Sequence, residues 1–347
     1  MYQKQINDKE AGQRLDKYLH KLLPLAGTSF LYKMLRKKNI TLNGKKADGS
    51  EKITTGDAIA IFFSDETLAK FMGSTPLQEE SNRSKQVPVG KKLPVSEYQQ
   101  AYQKFSKVKV LYENEHLLLA DKPVGILTQK ASPSDSSLNE WLIGYLLHSH
   151  FLAEADLQTF KPSVCNRLDR NTSGIVLCAK SIRGAQLLGE LLQERTLEKY
   201  YQLYVKGILD KEQLMEGYLI KDERRNKVSV GKEAPQEEAV SYSYIKTYYK
   251  PLAFQKDKTL LEVELLTGKP HQIRAHLASI GHPLLGDYKY GDRVWNDHYR
   301  KKYHITSQLL HAYKIVFPIL NAPFEDISGR TFCTDIPLIF QQLEKED

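Results

Sequence analysis

A chain of 347 residues has room for roughly two folded units and a linker, and buries enough surface to need no disulfide or metal staple. Hydrophobic residues make up 41% and charged ones 27%, the balance of an ordinary globular protein. No apolar run approaches the roughly 18 residues of a membrane-spanning helix, and the opening MYQKQINDKEAG carries no secretory signal. Cys165, Cys178 and Cys333 lie far apart with no CxxC, against a disulfide framework or zinc ribbon and in favour of the reducing cytoplasm. The net charge of +8 is unevenly spread: residues 1–63 hold twelve Lys/Arg against six Asp/Glu. A small basic unit joined to a nearly neutral larger one points to nucleic-acid binding, although excess surface lysine accounts for charge alone equally well.

From the N-terminus, Leu15, Tyr18, Leu19, Leu22 and Leu23 recur at i, i+3, i+4, i+7, i+8 and form the apolar stripe of a helix, with Arg14, Lys17 and Lys21 on its other side. After Pro24 and Gly27, Ser29 is positioned to cap a second helix through Lys38. Phe30, Leu31, Met34 and Leu35 are its apolar positions, and Lys33, Arg36, Lys37 and Lys38 its cationic rim. Ile40–Leu42, a turn at Asn43-Gly44 and the run from Asp57 to Phe63 read as short strands of a hairpin unit. Residues 64–105 lose periodicity and read as a polar linker.

Patterning resumes near Val108 and defines a unit over 106–347. Lys109–Asn114, His116–Asp121, Gly174–Cys178, Tyr200–Val205 and Leu260–Leu266 are strand-like. Ser181 caps a helix reaching Glu194, and Lys269–Ile280 includes another. Strands dominate without regular βαβ alternation, which predicts an α+β fold with a mixed, mainly antiparallel sheet.

Three segments carry candidate chemistry. Asn166–Lys180 places Asp169 between Arg167 and Arg170, ahead of a polar Thr172-Ser173-Gly174 turn into an apolar strand. Catalytic groups are often displayed in such loops, and the flanking cations favour an ionised carboxylate. Taken alone, the segment is more simply a salt bridge tying loop to strand. In Lys199–Gly207, Tyr201 alternates in facing with Tyr200 and Tyr204; a tyrosine lining a polar cleft offers a ring and a hydroxyl, but the pattern also fits a plain half-buried strand. In Leu266–Asp287, His271 and His276 are five apart, not the four that sets two metal ligands on one helix face, and Arg274 is available to pair with a distant carboxylate.

Together, NRLDRNTSGIVLCAK, KYYQLYVKG and LLTGKPHQIRAHLASIGHPLLGD resemble, in order and spacing, the aspartate, tyrosine and arginine motifs of the RluA-type pseudouridine synthase family. LLLADKPVGILT matches the strand and turn that precede them. RLDKYL…TSFLYKMLRKKNITLNGKKA…ITTGDAIAI resembles the S4 RNA-binding domain, and YGDRVWN with this layout is similar to members acting on large-subunit ribosomal RNA. Two departures stand out: Asn166 occupies the place of the family's usual His, and Lys269-Pro270 follows Gly268 where Arg-Thr is usual.

The resemblance implies an isomerase that detaches uracil at N1 and rejoins it through C5, a reaction needing neither metal nor cofactor. Asp169 would be the essential acid, attacking the sugar or assisting its proton loss. Tyr201 would stack on the uracil, Arg274 would hold Asp169, and Arg167 would enter the RNA stack vacated by the flipped base. Arg170, Thr172, His271 and Gln272 would contact substrate. Arg14, Lys17, Lys33, Arg36, Lys37 and Lys38 would contact RNA phosphates. The expected partner is ribosomal RNA, with no membrane and no partner subunit required. One rival is a non-catalytic, ribosome-associated RNA-binding protein. The other is a glycosidic hydrolase, needing a second carboxylate such as Asp287 or Asp292.

Overall fold

The computed structural model describes residues 1–73, 95–222, 227–236 and 241–345. The N-terminal unit runs β1 (Tyr2–Gln5), α1 (Leu15–Leu22), α2 (Thr28–Arg36), β2 (Ile40–Leu42), β3 (Lys45–Lys46) and β4 (Ala58–Ile61). Its strands form a four-stranded sheet in the order β1-β4-β2-β3. The predicted stripe of α1 is buried at every position and packs with Leu31, Met34, Leu35, Ile40, Ile59 and Ile61 into a core of its own. The rim residues Lys33, Arg36, Lys37 and Lys38 remain exposed. Ser29 is not the cap of α2: Gly27 holds that place, without a side-chain bond. The helix also stops short of Lys38, whose φ of +61° is incompatible with continuing it.

Helix α3 (Asp65–Met72) and helix α4 (Val95–Lys104) occupy the ends of the stretch expected to be irregular. Ser64 caps α3 through the Thr67 amide, and Tyr98 and Ala101 of α4 are buried against a later helix, so tertiary packing rather than a strong apolar stripe defines α4. The centre of that stretch, 74–94, lies outside the described residues.

The larger unit continues β5 (Lys109–Glu113), β6 (Leu117–Lys122), α5 (Leu138–His148), β7 (Ser163–Val164), β8 (Ser173–Ala179), α6 (Ile182–Glu194), β9 (Glu198–Lys206), β10 (Gln213–Asp222), β11 (Lys227–Gly231), β12 (Tyr242–Gln255), β13 (Lys258–Leu265), α7 (Gln272–Ser279), α8 (Arg293–Tyr303), β14 (Leu310–Val316), β15 (Thr331–Cys333) and α9 (Leu338–Glu344). Eleven strands form one sheet, ordered β11-β10-β12-β13-β9-β14-β8-β6-β5, with β15 beside β14 and β7 beside β8. Among the described residues only the β8–β14 ladder is parallel; the remaining ladders of this sheet are antiparallel. The fold is therefore α+β with a mixed sheet, as the strand-rich pattern predicts.

Alternation along each strand divides the core between the two faces. Tyr201, Leu203 and Val205 of β9 join Trp141, Leu142, Ile273 and Leu277 from α5 and α7. Leu117, Ile175 and Leu177 pack with Leu188 and Leu191 of α6 on the opposite face. Tyr204 and Leu260 meet Trp295, Tyr299, Phe340 and Leu343 from α8 and α9. At the parallel junction Gly174 has φ +113°, and a β-carbon there would collide with the Ala312 carbonyl. Only glycine lets β8 start beside β14.

Candidate active site

The loop before β8 is held from both sides of Asp169. Thr128 Oγ1 accepts from the Leu168 amide at 3.1 Å and donates to the Leu168 carbonyl at 2.8 Å. On the other side, the Gly125 amide donates to the Arg170 carbonyl at 2.9 Å, and Arg170 Nε returns a bond to the Gly125 carbonyl at 3.1 Å. Lys122 is fully buried, and its Nζ donates to the carbonyls of Pro123, Ile126 and Arg170 at 3.0–3.2 Å. Burial pushes its pKa down to about 7 against the opposing pull of Asp169 and Asp121. Segment 122–128 thus grips the backbone on each side of the carboxylate, while the Thr172 amide closes the turn on the Asp169 carbonyl at 3.0 Å.

The carboxylate meets a guanidinium from a helix 105 residues away. Arg274 Nη1 donates to Asp169 Oδ2 at 2.8 Å, and the rest of the fork grips Asp287, Nε to Oδ2 at 2.7 Å and Nη2 to Oδ1 at 2.9 Å. Arg274 is 8% exposed in its side chain, Asp287 0% and Asp169 26%, so the bidentate pair is dry and the third member is partly exposed. Burial opposes the Arg274 charge, but its bonds and charge interaction with both aspartates more than restore it. Burial alone would raise the Asp287 carboxyl; Arg274, with the Lys289 and Tyr290 amides, brings it below the usual carboxylate range. The arginine predicted to hold Asp169 does so, whereas the sequence-adjacent Arg167 and Arg170 do not: Arg167 is exposed and Arg170 is spent on Gly125.

Tyr201 is 5% exposed and packs with Leu168, Ile273 and Ala312. Burial, and secondarily the charge of Asp169, raises its hydroxyl pKa, so the phenol stays protonated. His271 precedes α7 at φ +58°. Its Nε2 lies 3.9 Å from Asp169 Oδ2 and its Nδ1 lies 2.8 Å from the Tyr290 hydroxyl. Burial lowers the His271 pKa, with Asp169 and Arg274 pulling in opposite directions. The Tyr290 hydroxyl also accepts from the Val228 amide at 3.1 Å, and the Arg274 guanidinium lies 5.2 Å from the Tyr290 ring centroid, within cation–π range.

Gln272 and Thr172, expected at the substrate, are buried within the protein. Gln272 is 2% exposed and its amide is saturated: Oε1 accepts from Thr267 Oγ1 and the Lys269 amide, and Nε2 donates to Thr247 Oγ1 and the Lys246 carbonyl. Thr172 is equally buried, facing Gln308 Nε2 at 3.5 Å. Asn166 is a strand anchor, its Oδ1 accepting from the Leu177 amide at 2.7 Å.

Sequence reasoning missed three contributors. Asp287 had entered only as a hydrolytic acid, yet it is ionised, buried and fully committed. Asp292 caps α8 through the Trp295 amide at 3.0 Å and bonds Lys206. Neither supplies the free acid a hydrolase needs. Tyr290 and Lys122 were visible only as parts of longer motifs.

The site joins one acid fixed by a buried arginine to a buried tyrosine whose hydroxyl feels the charge of that acid. A family model described as RNA pseudouridylate synthase matches residues 116–279, which contain Lys122, Asp169, Tyr201 and Arg274. An uncharacterized RNA pseudouridine synthase of Mycoplasma genitalium is 30% identical over 310 residues, covering 89% of this chain and 86% of the relative. The ribosomal large subunit pseudouridine synthase C of Vibrio cholerae is 29% identical, covering 90% and 87%. Among solved structures, human RNA pseudouridylate synthase domain containing 4 shares the fold at TM-score 0.55 and 19% identity, over 71% of this chain and 95% of that one. Fold and family define the class as the RNA pseudouridine synthases, isomerases of uridine. Within it, this chain belongs to the RluA-type family.

Proposed function

We propose that the enzyme isomerises specific uridines of large-subunit ribosomal RNA, with Asp169 as its catalytic acid, Tyr201 as the base-stacking ring and Arg274 as the group that positions Asp169. The observation that carries this reading is the Asp169–Arg274–Asp287 chain. Arg274 is held rigid by the buried Asp287 and takes one oxygen of Asp169; among the described residues Oδ1 takes no hydrogen bond, which leaves it for the sugar. The reaction breaks N1–C1′, forms C5–C1′, removes the C5 proton and returns a proton to N1, so no redox partner enters. Arg274 keeps the carboxylate in place as charge develops at C1′, and the protonated Tyr201 holds the released uracil while it turns. Exposed Arg167 occupies the stack after flipping, which costs a few kcal/mol. The large-subunit assignment is supported by the Vibrio cholerae relative's name.

In the same reading the chain divides into an S4-like RNA-binding unit over 1–63, a linker over 64–105 and a catalytic unit over 106–347, and works as a cytoplasmic monomer. The test is pseudouridine mapping in large-subunit RNA from cells with and without the gene. The intact chain restores the missing positions. Asp169→Asn does not, yet binds the same RNA with wild-type affinity. Normal turnover in that variant would overturn the role of Asp169, and an unchanged map would overturn the substrate.

A further inference from the structure

The N-terminal unit is docked on the catalytic unit by specific bonds. Glu10, fully buried, accepts from Thr159 Oγ1 at 2.5 Å, and Lys9 pairs with Asp156 at 3.0 Å. The Ile182 amide donates to the Lys9 carbonyl at 3.1 Å, and Gln186 Nε2 to the Gly12 carbonyl at 3.1 Å. Beside these contacts lies a cleft of about 790 Å³ between the two units. Arg14, Lys17, Lys21 and Lys52 line it from one side and Lys161, Gln158 and Gln186 from the other; among the described residues no carboxylate lines it.

The cations are arranged at a cost. Arg14, Lys17 and Lys21 follow one another at three- and four-residue spacing, where like charges on a helix repel. Arg14 and Lys52 are direct antiparallel partners across an isolated bridge, where facing like charges are also unfavourable. Asp16 answers Arg14 at 2.8 Å, and Lys21 donates to Gln13. Lys17, Lys52 and Lys161 are exposed and form no ion pair among the described residues. Repulsion left uncompensated in the free protein is relieved by a polyanion.

We propose that this interdomain cleft is a second RNA site, taking the phosphodiester backbone of a segment remote from the target uridine. The inference rests on the proposed function for RNA as the ligand. The remoteness follows from β8. The catalytic loop precedes Ser173, whereas the docking residue Ile182 follows Ala179 at the other end. Seven strand residues at about 3.3 Å each separate the two by roughly 20 Å. The cationic rim thereby splits: Arg14 and Lys17 serve the cleft with Lys52 and Lys161, whereas Lys33, Arg36, Lys37 and Lys38 on α2 do not line it.

The test compares the full chain with Lys52→Ala/Lys161→Ala, one exposed substitution on each side. Two RNAs are used: a long fragment of large-subunit RNA and a short stem-loop holding only the target uridine. On the long RNA, the slope of log affinity against log salt should become shallower by about 1.4–1.8, from two lost phosphate contacts. On the stem-loop, wild type and variant should bind alike. An unchanged slope on the long RNA overturns the cleft. An equal loss on both RNAs overturns its remoteness. Both readings are binding measurements, so absence of pseudouridine formation by the wild type would count against the proposed function and leave this result legible.

Discussion

The Asp169–Arg274–Asp287 site and the N-terminal rim both present arginine to an anion, but under opposite conditions. Arg274 is dry and triply bonded between two carboxylates at 2.7–2.9 Å, and its partner Asp287 is wholly buried. Arg36 stands in water with a long 3.4 Å bond to the Tyr32 carbonyl, amid exposed Lys33, Lys37 and Lys38. A fixed, desolvated cation orients a reacting group with little reorganisation and little sensitivity to salt. Mobile, solvated cations release counterions on meeting RNA and supply affinity without geometry. Under the proposed function, one fold thus separates the electrostatics of chemistry from that of capture.

The comparison breaks most severely at Asp287. Asp287→Asn keeps the shape but strips the buried counter-charge from Arg274, and truncating one partner of such a pair costs about 3–5 kcal/mol. Turnover should fall on the order of 100-fold, equivalent to about 2.7 kcal/mol, because Arg274 no longer holds Asp169 in register. The acid limb of stability should change with it. The native Asp287 pKa lies below its unfolded value, so its contribution is complete above the ordinary carboxylate range and is lost as pH falls through that range and below. Thermal unfolding between pH 2 and 6 should show a shallower acid loss in Asp287→Asn than in wild type. Identical slopes would mean that the Arg274–Asp287 pair is not the acid-sensitive element.

A second, smaller effect sharpens the other side. Raising salt from 50 to 200 mM should weaken binding of a long RNA at least tenfold, while the single-turnover rate constant at saturating RNA changes less than twofold. A quadruple variant, Lys33→Ala/Arg36→Ala/Lys37→Ala/Lys38→Ala, should flatten the binding slope and leave that rate constant alone. A rate constant as salt-sensitive as binding would show that the Arg274 site is not shielded from solvent ions.

How much of this was legible in the sequence follows the range of the interactions. The stripe of α1, the Ser181 cap of α6 and the alternation that turns Tyr201 away from Tyr204 are local, and periodicity revealed them. The motif resemblance placed Asp169 with Arg274 across 105 residues, a pairing no spacing rule contains. Residues whose bonding is saturated are hard to read from sequence: Gln272 looks like a free polar group until its four hydrogen bonds are counted, and Asp287 looks like a free acid until the fork of Arg274 is seen. Helix α4 was missed because tertiary burial, not amphipathic pattern, selects it, and β1 because a four-residue edge strand of alternating polarity carries little signal.

The smallest effect concerns Tyr290, which ties three elements together around the catalytic loop. Its hydroxyl meets His271 at the start of α7 and the Val228 amide on β11, and its ring lies against Arg274. Tyr290→Phe keeps the ring and its cation–π contact but leaves two half-buried groups without their partner, a loss of about 1 kcal/mol and so roughly fivefold in rate. If the hydroxyl only stabilised the fold, melting would shift while turnover at saturating RNA stayed constant. If it holds β11 and His271 in register over Asp169, turnover falls while the affinity for long RNA, set by the solvated rim, stays at the wild-type value. A variant that lost affinity instead would put Tyr290 on the capture side and erase the division between the two regions.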